Sequence, residues 1–198
     1  MLTSPTDLTA QLGSRICHDL INPLGAISNG VELLQLSGVD GPEIEMIAQA
    51  VENATLRVRY FRVAFGVASE GQRISAAEIA KVLAPGILGP KLALEWQATG
   101  DLARREVKLA LLTLLCLETA MPFGGQVSVR CEGSAWVVSG EAERLKMHPE
   151  LWGLIDGADT GALPAPAHLQ FALLGPELAA QARVAKVEIS ETRIIVRF

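Results

Sequence analysis

The chain has no block of lysine and arginine, and its 17 basic residues are outnumbered by 22 acidic ones, for a net charge of −5. That absence excludes the basic footprint of a nucleic-acid or anionic-membrane surface, so neither partner is expected. Cysteine is sparse. Cys17, Cys116 and Cys131 are odd in number, far apart and without a CxxC pair, which argues against a disulfide frame and for reduced thiols. Long hydrophobic runs are missing as well: the most apolar stretch, Leu109 to Leu117, contains Thr113 and is flanked by Lys108 and Glu118, far short of the ~18 residues of a membrane span. Met1 to Pro5 lack the basic and apolar regions of a secretory signal. A cytoplasmic protein is expected. With 198 residues there is room for one large domain or two small ones.

Histidine is rare, with three in the chain. His148 and His168 have no Cys or Asp partners at ligand spacing and are expected at the surface. Asp156-Gly157-Ala158-Asp159 carries two acids but reads as a turn, not a metal loop. Metal ligands are therefore not expected. His18 remains.

Periodicity supplies its setting. Leu8, Leu12, Ile16, Leu20, Leu24, Ile27, Val31 and Leu34 step by fours and threes, the stripe of one long helix. Ser37-Gly38-Val39-Asp40-Gly41-Pro42 ends it, with glycines for left-handed turn positions and a proline to open the next helix. Ile47, Val51, Ala54, Val58, Phe61 and Phe65 then form a second seam. The expected fold class is α+β: an antiparallel helical hairpin over 1–68, then an α/β sandwich over 72–198. Such a hairpin cannot bury both seams against itself, so a homodimer with a four-helix bundle is expected.

His18 is two positions from both Ile16 and Leu20, which turns it roughly 160° from those neighbours and towards water. Pro23 removes the donor for the carbonyl of Asp19 and should loosen the helix just below. Pairing about the turn brings Arg57, Arg59 and Arg62 to the level of His18, where they could attract an acidic partner site. A hydrolase built on Cys17 and His18 is excluded, because adjacent helical side chains diverge by ~100°.

In the second half, Ser75-Ala76-Ala77-Glu78 reads as a capping box opening a helix to Ala84. Leu92 to Ala98 reads as a strand, and Asp101 as the cap of a long apolar helix to Ala120. Gln126–Glu132 with Ala135–Glu141, and Lys186–Ser190 with Arg193–Phe198, read as hairpins. Short helices are expected at 145–155 and 166–182.

The run His18-Asp19-Leu20-Ile21-Asn22-Pro23-Leu24 is similar to the H-box of sensor histidine kinases. The layout resembles a kinase core, a dimerisation hairpin followed by an ATPase-like domain. The nucleotide chemistry is missing. Leu115-Cys116-Leu117-Glu118-Thr119-Ala120 has no asparagine for Mg²⁺, Val137-Val138-Ser139-Gly140-Glu141 replaces the Asp-x-Gly-x-Gly strand end, and Gly153, Gly157 and Gly161 are scattered, with no glycine-rich loop. The chain thus resembles a ChpT-type histidine phosphotransferase, a relay protein of two-component signalling.

That resemblance implies that His18 takes a phosphoryl group from the receiver domain of a hybrid histidine kinase and donates it to response regulators. Asp19 would orient or deprotonate the ring. Arg15 and Asn22 would contact phosphoryl oxygens or partner, and the partner would dock on Asn22, Gly25, Ala26 and Asn29 with Gln49, Glu52 and Asn53. No cofactor is expected on this chain: no ATP, and Mg²⁺ supplied by the receiver. Two other classes fit the residues. An ATP-dependent kinase core with a degenerate site would bind ATP at micromolar concentration, and a non-catalytic docking or inhibitor protein would fail a relay test of His18.

Overall fold

The structure is a computed structural model that describes residues 5–158 and 163–198. Met1–Ser4, Asp159 and Gly161, read from the sequence above, lie outside them. The backbone divides into two compact units, Met1–Val67 with Ala77–Ile87, and Ala68–Ala76 with Leu88–Phe198.

In the first unit, α1 (Pro5–Leu36) and α2 (Pro42–Ala64) form the expected hairpin, and α1 runs unbroken through Pro23. Its turn is built as the sequence implies. Gly38 takes φ 80°, Gly38 N–H donates to Gln35 O and Val39 N–H to Leu34 O, each at 3.0 Å, closing the orphan carbonyls of α1. Pro42 opens α2, with Glu43 and Glu45 in its first turn and Arg62 in its last, charges that suit the helix dipole.

Burial within the hairpin follows the expected stripe in part, with Val31 buried and Leu24 half-buried. Ala10, Cys17 and Val31 are buried on α1, and Val51, Tyr60, Val63 and Ala64 on α2. Leu8, Leu12, Ile16, Leu20, Ile27 and Leu34 stay between 44% and 64% exposed. Two helices can bury one line of residues each against the other, and the richer apolar line is left open. Gly13 lets the helices close: a Cβ there would stand 3.3 Å from Phe65 O. α3 (Ala76–Val82) buries Ile79 and Val82 and ends two residues before the expected Ala84.

The second unit is a five-stranded mixed sheet. β2 (Leu92–Trp96), β4 (Gly125–Glu132), β5 (Ala135–Glu141), β7 (Arg193–Arg197) and β6 (Lys186–Ile189) lie in the order β2-β4-β5-β7-β6, with β2 parallel to β4 and the rest antiparallel. Alternation sends Val127, Val129, Trp136, Val138, Ile194 and Val196 to the covered face. Gln126, Ser128, Arg130, Ser139 and Arg193 line the open face. α4 (Arg104–Ala120) lies on the covered face and is buried on nearly every side from Val107 to Leu117, Cys116 included. α5 (Pro149–Gly153) and α6 (Leu169–Ala179) complete that layer, and Lys108 of α4 is ion-paired with Glu177 of α6.

One expectation is corrected. Asp101 does not cap α4, because Leu102–Ala103 form a two-residue strand (β3) paired with Arg73–Ile74 (β1), and the helix starts two residues later. The Asp101 carboxylate instead accepts from Ala76 N–H at 3.3 Å, at the start of α3. Its partner lies 25 residues away, beyond any local pattern.

Candidate functional site

His18 lies on the middle turns of α1. Burying Cys17, and half-burying Ile21 and Leu24, fixes the rotation of the helix and turns the next residue outwards. The His18 side chain is 72% exposed. Its Nδ1 stands 3.4 Å from Asp19 Oδ1, and Arg15 Nε donates to Asp19 Oδ2 at 2.7 Å. The hydrogen bond from Arg15, with that from His18 second, holds the Asp19 carboxyl below the usual carboxylate range, and the same contact raises the Arg15 guanidinium. Asp19 is therefore a charged acceptor at neutral pH. Nδ1 faces it, and Nε2 is the ring nitrogen directed away.

Cys17 has the opposite character. Burial pushes its thiol up, against a smaller opposing effect of Arg62, so it is a packing residue and not a nucleophile.

The expected docking residues are all exposed: Asn22, Gly25, Ala26 and Asn29 on α1, and Gln49, Glu52 and Asn53 on α2. Gln49 Nε2 donates to Asn53 Oδ1 at 3.2 Å and Glu52 Oε2 at 3.5 Å, which ties the α2 group together. A Cβ built on Gly25 meets nothing within 4 Å, so no part of the described chain packs there. Between the helices runs a groove of about 520 Å³ lined by Ser28, Glu32, Gln35, Glu52, Thr55 and Arg59. Of these, sequence reasoning named Glu52 for docking and Arg59 for charge. Ser28, Glu32 and Gln35 carry a signal, a polar row at i, i+4 and i+7 beside the apolar stripe, that could have found the rest.

The basic row is corrected in part. Arg57 is not available to a partner: its Nη1 donates to Ile87 O at 2.6 Å and its guanidinium lies 4.9 Å from the Phe61 ring centre. Arg62 stands 4.0 Å from Glu78. Arg59 is exposed and lines the groove.

In the second unit, the stretch compared with a nucleotide-binding box is covered by protein. Gln170 Nε2 donates to Thr119 Oγ1 at 3.0 Å and Leu115 O at 3.5 Å, Lys146 N–H donates to Ala120 O at 2.8 Å, and Trp152 meets Phe171 edge to face at 5.3 Å. At the end of β5, a Cβ on Gly140 would stand 2.6 Å from Met121 Sδ, and Glu141 pairs with Arg193 at 3.0 Å. His148 and His168 are also corrected: both are half-buried, with ring centres 6.1 Å apart. They flank the same covering helices and fill space there. Asp156 ends a short 3₁₀ turn, and Gly157 follows in the left-handed region at φ 80°. Among the described residues, no group of three or more His, Cys, Asp or Glu side chains is placed to hold a metal ion, and no helix is long and apolar enough to cross a membrane.

Comparison with known proteins agrees with this geometry. Residues 76–193 match the family model of the histidine phosphotransferase C-terminal domain. The chain is 38% identical over 161 residues to the protein phosphotransferase ChpT of Brucella abortus (strain 2308), covering 78% of this chain and 77% of that one. Among solved structures it is similar to a bacterial phosphotransferase determined at 1.7 Å, with a TM-score of 0.70 and 29% identity over 100% of this chain and 98% of the other. With a family model spanning over half its length, and a relative of this identity across more than three quarters of it, the chain belongs to the histidine phosphotransferase family.

Proposed function

We propose that this chain relays a phosphoryl group between receiver-domain aspartates through His18. The observation that carries the reading is an exposed imidazole whose Nδ1 is directed at a charged acid, on a helix that buries the residue before it. In the transfer, the Nε2 lone pair attacks phosphorus in line, the P–O bond to the donor's aspartyl oxygen breaks, and the donor recovers a carboxylate. The second transfer reverses these roles with an acceptor aspartate. Such chemistry needs an aligned nucleophile, neutralised oxygens and excluded water, which two docked surfaces assemble. Mg²⁺ would come with the receiver and neutralise phosphoryl charge.

Docking uses Asn22, Gly25, Ala26 and Asn29 with Gln49, Glu52 and Asn53. The open Gly25 face admits a partner helix, and the groove between α1 and α2 adds polar contacts. A second copy of the chain covers the exposed line Leu8, Leu12, Ile16, Leu20, Ile27 and Leu34, which gives a four-helix bundle. The second unit works without ATP, in keeping with side chains packed over Leu115–Ala120. A cytoplasmic setting suits three free cysteines.

The test is incubation with a panel of phosphorylated receiver domains from the same organism, followed by mapping of the label. An acid-labile phosphoryl group on His18 is expected, and labelling of another residue would overturn the reading.

A further inference from the structure

Arg15, His18 and Asp19 share one flank of α1. At ~100° per residue, Arg15 projects about 60° from His18 and about 40° from Asp19, one turn nearer the N-terminus. Its Nε grips Asp19 Oδ2 at 2.7 Å, while Oδ1 stands 3.4 Å from His18 Nδ1. Neighbouring helical side chains diverge, so His18 and Asp19 meet at the long end of hydrogen-bond range, and only when the acid leans back over the preceding turn. Arg15 holds it there. The consequence lies in the ring: a neutral histidine side chain left to itself favours the proton on Nε2, whereas an acceptor at Nδ1 draws the proton to that side. A proton on Nε2 would occupy the lone pair that has to attack phosphorus.

We propose that Arg15 is a positioning residue: by gripping one oxygen of Asp19 it aims the other at His18 Nδ1, keeps the ring proton there and leaves Nε2 free to accept the phosphoryl group. This rests on the reading of His18 as phosphoacceptor. As the N–P bond forms and the P–O bond to the donor breaks, the electron pair leaves with the donor carboxylate. The Nδ1 proton stays between ring and acid, and Asp19 balances the positive charge gained by the ring. The lowered proton affinity of Asp19, caused first by Arg15, fits an acid that accepts this proton's hydrogen bond without removing the proton. The function of Asp19 is then orientation, and Arg15 acts through it.

Two measurements test this. Imidazole ¹⁵N shifts of the free chain, taken at a pH where the ring is neutral, should show the Nδ1–H form in the wild type and a shift towards Nε2–H in Arg15→Gln. Single-turnover transfer from a phosphorylated receiver should slow by about twofold or more in Arg15→Gln, the rate equivalent of an exposed i,i+4 ion pair. In an Asp19→Asn background the same substitution should have no further effect. An unchanged tautomer in Arg15→Gln, or losses that multiply in the double variant, would overturn the proposal. Failure of wild-type labelling by every receiver would instead overturn the relay reading, and the tautomer measurement, made on the chain alone, still decides what Arg15 does.

Discussion

At His18 the deciding quantity is direction. The side chain is exposed, so His18→Ala should abolish labelling while changing stability by less than ~0.5 kcal/mol, as urea unfolding would show. Asp19→Asn should slow single-turnover transfer more than it weakens receiver binding, because the acid faces the ring. Glu188 gives a pH-dependent counterpart far from the chemistry. Arg197 first, then Lys186, hold its carboxyl below the usual range, so the interaction contributes above the ordinary carboxylate value and is lost as pH falls through the lowered one. Glu188→Gln should therefore lower the thermal midpoint at pH 7, and by less and less as pH is taken below the ordinary carboxylate value, by calorimetry. The outward direction of His18 and its place beside Asp19 were legible in the sequence because the run is contiguous and a helix translates spacing into direction. Arg57 was not, since the carbonyl it serves belongs to Ile87, thirty residues on.

Among the elements, α4 was the easiest to read and its start the hardest. An apolar run of that length has to be a buried helix, but the β1–β3 pair beside it has two residues per strand, too few for any alternation to show. The link from α4 to β4 is similarly specific. Gly125 has φ 145°, and a Cβ there would collide with Glu141 O, so Gly125→Ala should cost about 1–3 kcal/mol in urea unfolding. The covering helices α5 and α6 were expected, but what they cover with, Gln170, Trp152, Phe171 and the half-buried His148 and His168, depends on long-range packing that no local pattern encodes. With that filling in place, calorimetry with ATP and Mg²⁺ should show no saturable binding with Kd below about 100 µM, roughly −5.5 kcal/mol.

For the molecule as a whole, the hairpin followed by an α/β layer was legible from periodicity. The line of burial was legible only in part: Val31 and Leu24 of the expected stripe are covered, but nearer the N-terminus Ala10 and Cys17 are buried in place of Leu8, Leu12, Ile16 and Leu20, where a Cβ on Gly13 would stand 3.3 Å from Phe65 O. The exposed line makes a sharp prediction. Ile27→Glu leaves the chain's own core untouched, so it should keep helical content yet sediment as a monomer at micromolar concentration, since an unpaired carboxylate in a bundle core costs on the order of 3–5 kcal/mol. The central claim, that His18 carries phosphate between two receivers, is tested most directly by a timed transfer in which a labelled donor receiver, this chain and an unlabelled acceptor receiver are mixed. Label should leave the donor, pass through the chain and reach the acceptor with wild-type protein, and should stay on the donor with His18→Ala. Equal arrival of label at the acceptor with His18→Ala would contradict the account.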